Sequence, residues 1–280
     1  MKACNHFFPL VLTPETAGNR VLGAGTLVRK PTIKEGATLK VHSIESFGTH
    51  DGPGVRTVIF LQGCKLKCVY CHNPDAIAMK GGRAYEIDEL VNKVLKMRPY
   101  FGKNGGVTVS GGEPLLQAKA LIPFFKKLKK AGIHTNIDTN GRVLNSFTRE
   151  LLDDYTDLVM LDIKHMTEEG YQAITGMRYK ETTFNLARHR EASGKKMWLR
   201  YVLIPGITDA PELLHALGNY FKEYKTIERL ELQPYHKLGV HKWEALGWKY
   251  PIPEARENTN QEIRHAVGIL QNYFKRVTVN

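Results

Sequence analysis

Three cysteines, Cys64, Cys68 and Cys71, crowd into one short stretch of a 280-residue chain that contains only four. Their spacing, C-x3-C-x2-C, puts three thiols on one loop directly after the apolar run Thr57 to Leu61. Three thiolates hold three irons of a cubane cluster and leave the fourth iron open to an exchangeable ligand, the arrangement of a metal centre that does chemistry. A closed electron carrier needs a fourth cysteine, and a structural zinc site needs a fourth Cys or His at ligand spacing. His72 adjoins Cys71 and is too close in sequence to supply it. A zinc site short of one ligand and a chance grouping are the alternatives; the triple spacing is more specific than a lone pair of cysteines.

Further along, Gly111-Gly112-Glu113, Asp138, Asp162, Lys164, Arg200 and His236 are residue types that bind polar ligands. Each also has a plain reading. Gly-Gly after a strand makes an ordinary turn, Asp138 ahead of Asn140-Gly141 makes an Asx turn, and Asp51-Gly52-Pro53-Gly54 is sufficient for a turn by itself. A lone histidine such as His236 more often lies on a surface or caps a helix. Placement favours the acidic group: Met160, Asp162 and Lys164 are two apart on one strand and point to one side, and Asp138 ends the neighbouring strand. Two facing carboxylates beside a lysine are costly to bury unless they bind a cation or a charged ligand, with a simple ion pair as the alternative.

The elements that position these residues follow from periodicity. Strand-like runs fall at Arg56 to Gln62, Gly106 to Ser110, Ile133 to Asp138, Leu158 to Lys164, Met197 to Ile204 and Glu228 to Gln233. Helix-like segments lie between and after them, at Asp88 to Phe101, Lys119 to Ala131, Ser146 to Tyr155, Thr182 to Ala192, Pro211 to Tyr224 and Asn260 to Phe274. Strict alternation of apolar strands with helices predicts an α/β fold with a parallel sheet and right-handed crossovers, too few units to close an eight-fold barrel. Ligands bind at the carboxyl ends of such strands. The cysteine loop, the Gly-Gly turn, Asp138, Asp162, Lys164 and His236 are all expected at that mouth, with Arg200 inside the fifth strand.

The cysteine spacing, with Tyr70 just ahead of the last Cys, resembles the radical S-adenosylmethionine (SAM) superfamily. Further motifs run in order: Ser43-Ile44-Glu45-Ser46-Phe47-Gly48-Thr49-His50-Asp51-Gly52-Pro53-Gly54-Val55-Arg56, Ser110-Gly111-Gly112-Glu113-Pro114, Asp138-Thr139-Asn140-Gly141, Asp157-Leu158-Val159-Met160-Leu161-Asp162-Ile163-Lys164 and Pro234-Tyr235-His236. Together, from about residue 40 onward, they resemble the pyruvate formate-lyase-activating enzymes. The resemblance implies an open partial (β/α)6 barrel of the radical SAM type. It implies one 4Fe-4S cluster on the catalytic Cys64, Cys68 and Cys71, and SAM held by Tyr70, Cys71, His72, Gly112, Asp162, Ile163, Lys164 and His236. A monovalent cation on Asp138, Thr139, Met160 and Asp162, and a protein-substrate contact at Asp51, are implied in the same way. So is the activity: reductive cleavage of SAM gives a 5'-deoxyadenosyl radical that takes a Cα hydrogen from a glycine of pyruvate formate-lyase, with flavodoxin or ferredoxin as electron donor to a monomeric enzyme. Activation of another glycyl radical enzyme is the nearest alternative. Many activators of dehydratase- and decarboxylase-type partners carry an inserted cysteine-rich segment, and residues 72 to 106 contain no cysteine. An iron-sulfur electron carrier is the more distant reading.

Composition bounds the rest. With 42% hydrophobic and 24% charged residues the chain can bury a large core. No apolar run approaches the roughly 20 residues of a membrane span. The net charge of +12 is spread along the chain without a nucleic-acid motif, and its densest run, Lys126, Lys127, Lys129 and Lys130, alternates with Leu121, Phe124, Phe125 and Leu128 as the solvated face of an amphipathic helix. Three cysteines committed to one loop leave Cys4 without a partner, which points to a reducing, cytoplasmic compartment. Residues 1–38 carry Pro9, Pro14, Pro31 and four glycines without a sustained period, so they are expected to form an N-terminal extension, disordered or targeting, ahead of a radical SAM domain at 39–280. The absence of serine there tells against a transit peptide.

Overall fold

The computed structural model describes residues 37–280 and sets out one mixed sheet flanked by helices. Its strands are β1 (Thr38–Gly48), β2 (Arg56–Leu61), β3 (Arg83–Glu86), β4 (Gly106–Gly111), β5 (His134–Thr139), β6 (Leu158–Asp162), β7 (Met197–Leu203), β8 (Ile227–Pro234) and β9 (Val277–Val279). They are ordered β3-β1-β2-β4-β5-β6-β7-β8-β9, and the two edges do not pair, so the barrel is open. The strands expected from the sequence are the contiguous parallel run β2-β4-β5-β6-β7-β8.

Strict alternation does not hold at the edges. β1 pairs antiparallel with β2 and β3, and β9 adds a parallel strand beyond β8. β6 ends at Asp162, so Lys164 lies past the strand rather than on it. The helices are α1 (Ile87–Met97), α2 (Ala118–Lys130), α3 (Ser146–Glu150), α4 (Glu168–Thr175), α5 (Glu181–Ala192), α6 (Pro211–Phe221), α7 (Val240–Ala245) and α8 (Asn260–Leu270). Of these, α4 and α7 have no counterpart in the sequence expectations; both are short, and local signals decide them. Thr167 accepts from Gly170 N at the start of α4, and Gly176, at φ 71°, ends it as a left-handed cap. The expected extension at 1–38 lies outside the described residues except for Ala37 and Thr38, and Thr38 opens β1.

Period-two alternation sorts the two faces of the sheet. Val107, Val109, Ile137, Val159, Leu161, Leu199, Tyr201, Leu203, Leu230 and Leu232 point outward and are buried in one core with Leu121, Phe125, Leu128, Phe184, Leu214, Phe221 and Leu270 of the helices. Burial of each such side chain stabilises the fold by about 1.5–3 kcal/mol. The intervening residues, Thr108, Ser110, Asn136, Asp138, Met160, Asp162, Trp198, Arg200, Glu231 and Gln233, face the lumen. Leu158, Met160 and Trp198 form an apolar cluster on the β6 and β7 side of the lumen, while Thr108 and Asn136 at the level of Leu158, and the residues toward the carboxyl ends, are polar. The lysines of α2 are exposed, as its periodicity requires, and Lys127 and Lys129 pair with Asp88 and Asp157. Among the described residues, no helix is long and apolar enough to cross a membrane.

Candidate active site

A cavity of about 410 Å³ opens inside the barrel and collects most of the residues singled out by the sequence. Cys64, Cys68, Cys71, Tyr70, His72, Gly112, Asp138, Thr139, Asp162, Lys164, His236 and Asp51 all line it, and Arg200 with them. Ile163 and Met160 do not. The Ile163 side chain belongs to the outer core, and Met160 is fully buried on Leu158 and Trp198 with its sulfur accepting from Asn136 Nδ2 at 3.2 Å. Only their backbone can serve a ligand, because the alternation that points Asp162 inward points Ile163 outward and Met160 sits one step lower.

The cysteine loop is held by backbone bonds before any metal is considered. Gly63 N donates to Ala76 O at 2.8 Å, Cys64 N to Ile77 O at 3.0 Å, and Lys67 N and Val69 N to the end of α4 at Thr175 O and Ile174 O, both 2.9 Å. From the other side α7 caps it, with Trp243 Nε1 donating to Cys71 O at 2.9 Å. His72 lies against His236, ring centroids 4.3 Å apart, and the backbone of Gly239 packs on its Cα so closely that a Cβ would fall at 2.8 Å.

Gly112 has a packing reason beside the one its motif suggests. A Cβ there would lie 2.2 Å from Gly63 O and 2.9 Å from Ala76 O, so the glycine lets the Gly-Gly turn seat against the cysteine loop itself. The fit is closed by Gly112 N donating to Leu61 O and Glu113 N to Gly63 O, each at 2.8 Å.

The carboxylates meet protein cations. Arg200 Nη1 stands 3.0 Å from Asp138 Oδ2 and its Nε 3.8 Å from Glu231, with the Gln233 amide against its guanidinium. Lys164 Nζ lies 2.8 Å from Asp162 Oδ2. Burial alone would lower both cations; the neighbouring carboxylates, Asp162 for Lys164 and Asp138 for Arg200, instead hold them above their usual ranges. Asp51 is reached from the opposite end. Because β1 runs antiparallel to β2, the loop between them enters the lumen at the amino ends of the strands, where Thr108 Oγ1 and Asn136 Nδ2 donate to Asp51 O at 2.5 and 3.1 Å. Burial, then Asp138, raises its carboxyl above the usual value.

The residues fit the groups implied by their types. Burial pushes the Cys64 and Cys71 thiols up to about 12 and raises Cys68 as well, so as thiolates they require a positive partner, which iron supplies. Three thiols that line one cavity suit the separate irons of a cluster. Tyr70 OH, Asp138 Oδ1 and His236 Nδ1 are buried at the cavity without hydrogen-bond partners, open positions for a polar ligand.

Asn140 was not expected from the sequence to take part in the site, and Glu113, expected there only with the Gly-Gly turn, organises it from behind. Glu113 is 2% exposed and accepts from Leu115 N, Thr139 Oγ1 and Asn140 N at 2.9, 2.6 and 2.9 Å; burial lifts its carboxyl to about 7. The available signal was a charged residue fixed between a Gly-Gly turn and a proline.

An open parallel barrel with three cysteines on the loop after its first parallel strand defines a radical SAM protein, and residues 58–217 match the model of the Radical SAM superfamily. The pyruvate formate-lyase-activating enzyme of Clostridium pasteurianum is 45% identical over 237 residues, covering 84% of this chain and 97% of that protein. The pyruvate formate-lyase 1-activating enzyme of Escherichia coli (strain K12) is 40% identical over 241 residues, covering 85% and 97%. Among solved structures, Streptococcus suis SuiB bound to precursor peptide SuiA matches with a TM-score of 0.61 at 19% identity, over 79% of this chain and 48% of that one, a likeness of fold. The chain belongs to the pyruvate formate-lyase-activating enzyme family of the radical SAM superfamily.

Proposed function

We propose that this chain activates pyruvate formate-lyase by installing a glycyl radical. The observation that carries the reading is one cavity shared by three unpaired cysteines and by Tyr70, Asp138 and His236, each with a buried polar atom left open. Identity of 45% to a relative of that name supports the choice of protein substrate. Cys64, Cys68 and Cys71 would hold a 4Fe-4S cluster, with SAM bound beside it in the same cavity. When bound, the pair would supply cleavage of the SAM sulfonium by one electron from the donor protein, giving methionine and a deoxyadenosyl radical able to take a glycine Cα hydrogen.

The protein's own work is binding, orientation and exclusion of water. Asp162, Lys164 and the backbone of Gly112 and Ile163 form the charged side for the methionine end of SAM; Tyr70, His72 and His236 form the aromatic side for adenine. Asp138, with one oxygen on Arg200 and Ser110 Oγ and the other open, is the candidate anchor of a monovalent cation, joined by Thr139, Asp162 and the backbone of Met160. Asp51, at the far end of the lumen, is the candidate contact for the protein substrate. Flavodoxin or ferredoxin as electron donor, a monomeric state and a cytoplasmic location complete the proposal.

The test is anaerobic mixing of reduced enzyme, SAM and pyruvate formate-lyase with electron paramagnetic resonance as readout. A glycyl radical doublet on that partner is expected. SAM cleavage with no doublet, together with a doublet on another glycyl radical enzyme, overturns the substrate and leaves the reaction class.

A further inference from the structure

We propose that Asn140 is a positioning residue for the cysteine-borne cluster, its side-chain amide donating to the Cys64 sulfur so that the reduced cluster is easier to reach. The inference rests on the reading above that Cys64 is an iron ligand. Asn140 Nδ2 lies 3.7 Å from Cys64 Sγ, within hydrogen-bond range for sulfur.

Every other polar atom of Asn140 is committed. Its N–H donates to Glu113 Oε2 at 2.9 Å, its carbonyl accepts from Thr183 Oγ1 at 2.7 Å, and Oδ1 accepts from Arg142 N at 3.0 Å. The last bond fixes the amide orientation, because with Oδ1 on a backbone N–H only the NH2 side can face the sulfur. At 6% exposure the side chain has little room to turn away. Glu113 completes a ring: its carboxylate holds Asn140, while its N–H donates at 2.8 Å to Gly63 O, the residue before Cys64. Donor and sulfur are thus located by the same buried residue.

Reduction adds negative charge that is shared with the thiolate sulfurs, so a fixed N–H donor stabilises the reduced form more than the oxidised one and raises the potential. A purely structural role, holding the 139–142 turn, makes a different prediction, since that role belongs to the bonds at N, O and Oδ1.

The experiment uses anaerobically reconstituted full-length protein, with iron and sulfide per chain measured first and the midpoint then taken by a redox titration followed by electron paramagnetic resonance. Asn140→Ala is expected to keep wild-type iron and to lower the reduced-to-oxidised ratio at fixed potential on the order of tenfold, about 59 mV for one electron. Asn140→Asp keeps the acceptor for Arg142 N, removes the donor and adds a negative charge, so its shift is larger and in the same direction. Thr183→Val, which removes the bond to the Asn140 carbonyl and keeps the Nδ2 donor, leaves the midpoint in place. An iron-loaded Asn140→Ala with a wild-type midpoint overturns the inference, as does loss of iron from both Asn140 variants. Absence of iron from the wild-type chain overturns the cluster reading itself, and the two failures are told apart at that first measurement.

Discussion

Replacing Gly112 with alanine tests whether the site is built by the close approach of two loops. The added Cβ would stand 2.2 Å from Gly63 O, whereas a carbon and a carbonyl oxygen rest at about 3.3 Å, so the turn and the cysteine loop must part by roughly 1 Å. The bond from Glu113 N to Gly63 O, 2.8 Å long, then stretches beyond hydrogen-bonding range. A buried donor and acceptor left unpaired cost about 1–3 kcal/mol, and the overpacking adds about 1–3 kcal/mol more, for a loss of roughly 2–6 kcal/mol. In a domain of this size, at about 2–4 °C per kcal/mol, the midpoint of thermal unfolding falls by roughly 4–24 °C. The assay is unfolding of the metal-free protein followed by iron content after reconstitution, both expected to fall. Gly268→Ala is the control: in α8, with no heavy atom near its Cβ position, it is expected to gain about 0.5–1 kcal/mol. Wild-type stability and full iron loading of Gly112→Ala would refute the reasoning.

Cys68→Ala leaves two thiols and is expected to abolish the reduced-cluster resonance and its response to SAM; a normal signal removes the cluster assignment. Arg200→Met strands Asp138 without its cation, while Glu231 keeps Arg229 at 3.5 Å, and is expected to cost about 3–5 kcal/mol in denaturant unfolding, whereas a loss under about 1 kcal/mol would show the Asp138 pair to be dispensable. His134 sits against the Arg56 guanidinium, and burial, then Arg56, lowers its pKa from 6.5 to about 4. A depressed folded value means its contribution is fully present above pH 6.5 and is lost as pH falls toward 4. Discounted for the partial exposure of the ring, that is about 2 kcal/mol, so His134→Asn is expected to flatten the decline between pH 6.5 and 4 relative to wild type, and parallel curves would contradict it.

The cysteine loop, the parallel strands and the lumen-facing set were legible in the sequence because each depends on short-range order. Ligand spacing is set within a few residues, and period-two alternation along one strand decides which side chain faces the lumen. Asp162 and Ile163 illustrate the limit: adjacent residues, one in the cavity and one in the outer core, told apart only once the direction of β6 is fixed. The edges were not legible. β3 and β9 are short strands that exist through pairing with β1 and β8 far along the chain, while β1 is held between the next strand, β2, and β3. That antiparallel edge brings Asp51 into the lumen from below rather than to the mouth. The networks were hidden for the same reason. Arg200 between Asp138 and Glu231 joins side chains of different strands, and Glu113 holding Asn140 toward Cys64 joins loops after different strands, so the sequence by itself names the residue types while the order β2-β4-β5-β6-β7-β8 in the sheet decides which of them touch.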